Sequence, residues 1–119
     1  MKVIITENQL DKLEQKLNEL ANKYIDDYIT GFLSRQTLDN FIIFVNDELE
    51  EYGDMVVIEY DSEDGRLYID KELVMRIADT FNLSPLNVQL KINNWFVNHE
   101  NIFPKYVDTP RISTHDISY

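Results

Sequence analysis

The stretch YDSEDGRLYIDKE, from Tyr60 to Glu72, contains the residue types of a calcium-binding loop. A loop of the EF-hand type needs oxygen ligands at positions 1, 3 and 5, glycine at position 6 and glutamate at position 12. A loop starting at Asp61 puts Gly65 one position too early, and a loop starting at Tyr60 loses its first and last ligands. Neither register fits, so the stretch predicts a β-hairpin turn at Asp64-Gly65 and no metal site.

Side chains that could act as acids, bases or nucleophiles do not form a catalytic pattern in this sequence. His99 shares a helical stripe with Trp95, which predicts a hydrogen-bonded histidine at the edge of the core, and His115 lies in a polar segment. The pairs Asp26-Asp27 and Glu50-Glu51 are adjacent on predicted helices, so their side chains diverge and form solvated faces. We therefore predict that the protein is not an enzyme and needs no cofactor.

The composition predicts one folded domain. The chain has 119 residues, of which 44% are hydrophobic and 12% aromatic, and this is enough to build a core. It contains no cysteine, which excludes a disulfide framework and cysteine-ligated zinc. Its apolar runs are all shorter than the roughly 18 residues of a membrane span, so no membrane partner is expected.

The net charge of −11 at pH 7 is unevenly distributed, because the whole acidic excess lies between Met1 and Asp70. Such a charge repels nucleic acid phosphates and favours basic partners. It can also serve solubility alone, and the sequence leaves both interpretations open.

The first helix is predicted to begin at Thr6, where Thr-Glu-Asn-Gln matches a capping box. Apolar residues then recur at alternating steps of three and four until Gly31 ends the pattern. The stripe consists of Leu10, Leu13, Leu17, Leu20 and Tyr24. This spacing also fits a coiled-coil seam, but it covers little more than two heptads, so packing on the chain's own domain is the favoured interpretation.

A second apolar stripe follows and ends at Gly53. It consists of Leu38, Phe41, Ile42, Val45, Leu49 and Tyr52. The apolar run from Phe41 to Val45 also fits a strand, because its period does not separate the two structures. The acidic residues on either side, such as Asp39 and Asp47, are poor strand formers, so we predict a helix.

The second half of the chain predicts a hairpin and two helices. The runs 55–60 and 66–70 are rich in strand formers and flank the Asp64-Gly65 turn. Asp70 can cap a helix that Asn82 ends in the left-handed conformation. Ser84-Pro85 has the serine cap and first-turn proline of another helix, whose buried side includes Trp95.

The last two helices resemble a DNA-binding helix-turn-helix. Apolar or small residues occupy most of the required positions, but Lys91 falls where the last apolar residue should be. The recognition helix would offer Asn87, Gln89, Lys91, Asn94 and Asn98 to DNA. Phosphate contacts supply much of the affinity of such proteins, and this acidic chain lacks a basic patch, so the sequence disfavours a nucleic-acid partner.

The segment after Ile102 lacks a helical or strand period, and Pro104 and Pro110 bar a long helix. It still carries apolar residues spaced like anchors. The predicted partner-binding residues are Phe103, Tyr106, Val107, Ile112, Ile117 and Tyr119. We therefore predict a tail that docks on a surface.

Two parts of the sequence carry a family resemblance. The opening Met-Lys-Val-Ile-Ile-Thr-Glu-Asn-Gln, and Leu67-Tyr68-Ile69-Asp70-Lys71-Glu72 leading into paired helices that end near Asn94-Trp95, resemble short uncharacterised proteins of tailed bacteriophages. The similarity covers about half of the chain, and its motifs are structural. It implies a phage origin and no chemistry.

Together these patterns predict a mostly helical α+β fold with two N-terminal helices, one β-hairpin, two C-terminal helices and an extended tail. Residues 1–103 would form the single domain and residues 104–119 the tail. The function predicted is that of a phage-encoded interaction protein, specifically a small virion component docking by its tail, located in the virion or host cytoplasm. The alternatives are an acidic nucleic-acid mimic that inhibits a basic host protein, and a helix-turn-helix protein. A homo-oligomer remains open.

Overall fold

The computed structural model describes residues 7–46 and 55–110, with the side chains of residues 7–10 and Met55 excepted. In this part of the chain three α-helices pack on a five-stranded mixed sheet. The helices are α1 (Glu7–Asp27), α2 (Lys71–Phe81) and α3 (Pro85–Glu100). The strands are β1 (Ser34–Leu38), β2 (Phe41–Asn46), β3 (Met55–Asp61), β4 (Arg66–Ile69) and β5 (Tyr106–Asp108).

Helix α1 is amphipathic, as its stripe predicted, and a π-helical segment at Tyr28–Phe32 prolongs it past Asp27. The last turns of α1 and the π-helical segment pack into the core through Ile25 and Ile29. Other apolar side chains of α1 stay accessible, since Leu13 is 50% and Leu20 45% exposed. The predicted start at Thr6 lies outside the described residues.

The predicted second helix over residues 38–52 is wrong, because β1 and β2 occupy its first part. Leu38 pairs with Phe41 across a two-residue loop, in which Asp39 adopts a positive φ of 51°. Ile43, Phe44 and Val45 are all buried, so the strand shows none of the alternation that marks a half-exposed strand. Residues 47–54 lie outside the described part.

The hairpin prediction is confirmed. Strands β3 and β4 pair antiparallel, with Asp61 opposite Arg66, and Gly65 in the intervening turn has a φ of +67°. That left-handed conformation favours glycine because it lacks a Cβ.

The last two helices form at the predicted positions, although the Asp70 side chain makes no capping hydrogen bond to α2. Asn82 ends α2 in the left-handed conformation, and the Ser84 hydroxyl accepts a hydrogen bond of 3.1 Å from the Asn87 N–H at the start of α3. Helix α3 buries Trp95 and Phe96 against Phe44 of β2. The three rings meet edge to face, with centroids 5.3–5.7 Å apart.

Strand β5 adds a parallel strand beside β4, in the sheet order β1-β2-β3-β4-β5. A parallel neighbour requires a long connection, and α2 and α3 provide it. The predicted α+β class is therefore correct. The predicted arrangement of four helices and one hairpin is wrong, because the described residues form three α-helices and a larger, mixed sheet.

Candidate interaction surface at the C-terminal edge

The structure places two of the predicted partner-binding residues on an exposed surface. Phe103 is 68% and Tyr106 57% exposed. Val107 is instead partly buried against the core cluster. The remaining predicted anchors, Ile112, Ile117 and Tyr119, lie outside the described residues. We call Phe103, Tyr106 and β5 the C-terminal surface.

Backbone hydrogen bonds tie the C-terminal surface to the hairpin turn. The Lys105 N–H donates to the Gly65 carbonyl oxygen at 2.7 Å, and the Tyr106 N–H reaches the same oxygen at 3.3 Å. The Lys105 side chain lies directly over Gly65, where a Cβ would be 3.0 Å from its Cγ. The absence of a side chain at Gly65 thus allows β5 to approach β4.

The guanidinium of Arg66 packs against the face of the exposed Tyr106 ring. Its Cζ lies 5.2 Å from the ring centroid, and its Nη1 lies 3.5 Å from Asp108 Oδ2. The Nε of Arg66 is buried and has no hydrogen-bond partner among the described residues. A cation over an aromatic face is a favourable contact. Arg66 therefore orients the ring that the surface presents.

The segment also contacts its own domain further along. The Lys71 N–H, at the start of α2, donates to the Pro110 carbonyl oxygen at 2.9 Å. This satisfies a backbone donor that the first turn of a helix leaves free. The part of the predicted tail between residues 104 and 110 is thus attached to the sheet and to α2.

Two of the clefts beside α1 are each lined by one of two adjacent aspartates. Asp27 lines a cleft of about 440 Å³ together with Tyr24, Tyr28 and Arg76. Burial works to lower the pKa of Arg76, but the hydroxyls of Tyr28 and Tyr24 raise it, and the net direction is upward. The guanidinium, which is a cation at physiological pH in any case, lies 5.4 Å from the Tyr28 ring centroid.

Asp26 lines the other cleft, a groove of about 510 Å³ between α1 and α3 whose lining residues are mostly polar. Its Oδ1 accepts a hydrogen bond of 3.0 Å from the Trp95 indole N–H and lies 3.2 Å from His99 Nε2. The divergence of Asp26 and Asp27 was predicted correctly. The prediction that both are merely solvated fails for Asp26, which links two helices.

Three of the five predicted DNA-reading residues line this groove. Lys91, Asn94 and Asn98 line it with α1 on the other side, and Asn87 lies beside Leu17 of α1 in a neighbouring cleft. The polar faces of α1 and α3 are visible as residues spaced three or four apart in the sequence. That the two faces meet depends on tertiary packing, so the sequence did not predict the groove.

The stretch from Tyr60 to Glu72 contains a turn that is stabilised by the carboxylate of Asp61. Asp61 Oδ1 accepts hydrogen bonds from Asn40 Nδ2 at 2.9 Å and from the Glu63 N–H at 3.0 Å. Within residues 7–46 and 55–110, no group of three or more His, Cys, Asp or Glu side chains could hold a metal ion. Asp61 thus connects the β3–β4 turn to the β1–β2 turn.

Comparison of the chain with family models, curated proteins and solved structures finds no match. Among the helices that the structure describes, none is both long and apolar enough to cross a membrane.

Proposed function

We propose that this protein is a non-enzymatic interaction protein that docks on another protein subunit through its C-terminal surface. The observation that carries the proposal is the exposure of two large aromatic side chains, Phe103 at 68% and Tyr106 at 57%, beside a strand at the edge of the sheet. Aromatic residues are enriched at the centres of protein interfaces, where they contribute much of the binding energy.

The surface is organised before any partner arrives. Strand β5 is already paired with β4, and Arg66 already supports the Tyr106 ring. Binding therefore avoids much of the entropy cost of ordering a free segment. A preformed surface of this kind favours a defined partner site over adaptive wrapping.

The resemblance to phage proteins makes a virion subunit the partner class to test first. The helix-turn-helix alternative receives less support, because α1 lies alongside the α3 side chains that DNA would need, including Lys91 and Asn94. An acidic inhibitor would bind a basic protein through charge, and that complex would weaken steeply with salt. A complex held by apolar contacts of Phe103 and Tyr106 would not weaken steeply with salt.

The test begins with a photo-crosslinking amino acid at Phe103, in protein produced in the cells from which the gene comes. Mass spectrometry identifies the covalent partner, which is then purified so that its affinity can be measured. We expect the double variant Phe103→Ser, Tyr106→Ser to bind at least about a hundredfold more weakly, as loss of central aromatic residues does.

The matched control is Leu86→Ser with Leu90→Ser, two α3 side chains that are 63% and 54% exposed. This pair removes a similar apolar area elsewhere and should leave the affinity within about twofold. Equal binding by both double variants, or a complex that dissociates steeply with salt, would refute docking through the C-terminal surface.

A further inference from the structure

The groove between α1 and α3 is built around a fixed histidine. The ring of His99 stacks on Trp95, with centroids 4.7 Å apart and an interplanar angle of 10°. Its Nδ1 lies 3.1 Å from the Trp95 carbonyl oxygen, and its Nε2 lies 3.2 Å from Asp26 Oδ1. Both nitrogens face acceptors, so the ring makes both hydrogen bonds when it carries both protons. The side chain remains 45% exposed.

The groove is locally basic in a strongly acidic protein. Lys23 of α1 and Lys91 of α3 line it, and Asp26 is its one acidic lining residue among those the structure describes. That carboxylate already accepts from Trp95 and contacts His99. The two ammonium groups are therefore available to an anion that enters the groove.

Amide side chains add hydrogen-bonding capacity to the same groove. Asn22, Asn94 and Asn98 line it. Each carboxamide supplies both donors and an acceptor, which suits the mixed donor and acceptor edges of a heterocyclic ring. The groove volume, about 510 Å³, falls within the range of roughly 300–1,000 Å³ typical of small-molecule sites.

We propose that this groove binds a small anionic ligand that carries a planar heterocycle, in the size class of a nucleoside monophosphate. Lys23 and Lys91 bind the anionic group, the exposed part of His99 contacts the ring, and the asparagine amides bind the ring edges. The site is independent of the C-terminal surface, since it shares none of its residues.

Partial burial at Lys91 adds to the attraction for an anion. Desolvation lowers the pKa of Lys91, because its ammonium has lost part of its hydration. An anion that replaces the lost water stabilises the charged form. The net charge of −11 does not prevent this, since exposed charges are screened beyond about 8 Å at physiological ionic strength.

Trp95 provides a direct readout, because it is the single tryptophan of the chain and lines the groove. The full chain is titrated with AMP, GMP, CMP and UMP while its fluorescence is recorded, with inorganic phosphate and the uncharged nucleosides as partial ligands. We expect a saturable change with at least one monophosphate, and weaker binding of each partial ligand. Amide chemical shifts of Asn22, Asn94 and Asn98 should move in the same titration.

The variant Lys23→Gln with Lys91→Gln should bind at least about tenfold more weakly, since each lysine acts as a point charge on the anionic group. Lys12→Gln with Lys16→Gln makes the same charge change at exposed positions of α1 and should leave the affinity unchanged. Thermal unfolding confirms that both variants fold.

Three outcomes would overturn the proposal. The first is the absence of a saturable change with all four monophosphates, and the second is equal affinity of the two lysine variants. The third is that inorganic phosphate alone binds as tightly as the monophosphates. The Phe103→Ser, Tyr106→Ser protein should bind the ligand normally.

Discussion

The guanidinium of Arg35 on β1 forms a bidentate ion pair with the carboxylate of Glu100 at the end of α3. Its Nε lies 2.7 Å from Oε1 and its Nη2 3.2 Å from Oε2. The arginine side chain is 45% exposed and the glutamate side chain 16%. This pair joins the first edge strand of the sheet to the last helix.

We expect a coupling of about 0.5–1 kcal/mol between Arg35 and Glu100, because bidentate geometry strengthens the pair while solvent at Arg35 screens it. Urea unfolding of Arg35→Gln, Glu100→Gln and the double variant measures this coupling as a double-mutant cycle. The coupling should fall with added salt. Strictly additive single variants would contradict it.

Trp95→Ala should lower the free energy of unfolding by about 3–5 kcal/mol, since it removes a buried ring that contacts Phe44 and Phe96. Trp95→Phe should cost less, because an aromatic ring still fills the space and mainly the hydrogen bond to Asp26 is lost. Chemical denaturation of both variants checks the order. A fully stable alanine variant would mean that Trp95 is not a core residue.

Gly65→Ala should destabilise the protein by about 1–2 kcal/mol, since an L-residue is strained at a φ of +67° and the new Cβ meets Lys105. Gly31→Ala is the matched control, because its Cβ would have no neighbour within 4 Å among the described residues. It should be neutral or slightly stabilising. Equal melting temperatures for the two variants would show that the turn does not need glycine.

The sequence predicted those elements whose ends carry their own local signals. Ser84, Asn82 and Gly65 each adopt the conformation that their residue type favours, so α2, α3 and the hairpin were foreseen. Strand β2 was missed because it is buried over three consecutive residues, and such a run has no distinguishing period. A two-residue turn signal, Asp39-Asn40, separates it from β1.

The two edge strands were missed for a different reason. Strand β1 is largely exposed and reads SRQTL, without a hydrophobic face. Strand β5 has three residues, and its pairing with β4 depends on contacts far away in the chain. Of the predicted anchors, Phe103 and Tyr106 are exposed as a docking residue must be, whereas Val107 packs inward.

Ending the chain at Phe103 should lower the free energy of unfolding by at least about 2 kcal/mol, because it removes the contact of Val107 with the core cluster and the Lys105–Gly65 hydrogen bond. The control is a chain that ends at Pro110, which retains both contacts and the bond to Lys71. Thermal and urea unfolding compare the two. If both truncations cost equally little, β5 contributes no stability.

Millimolar calcium should leave the melting temperature unchanged, since Asp61 is engaged by Asn40 and the Glu63 N–H within the turn. Calorimetry with calcium and then with a chelator measures this. Magnesium serves as the control for general ionic effects. An upward shift that calcium alone produces, and that the chelator reverses, would mean that the turn binds the ion.

The parallel pairing of β5 with β4 also sets an order of events during folding. Strands β1 to β4 pair with sequence neighbours, so their contacts close short loops and can form early. Strand β5 pairs with β4 across the whole α2–α3 connection, so its contacts close a much longer loop and we expect them to form later. The aromatic side chains at Phe103 and Tyr106 therefore reach their final positions late. An incompletely folded chain would not yet present the proposed docking surface, so folding of the domain would have to precede association through it.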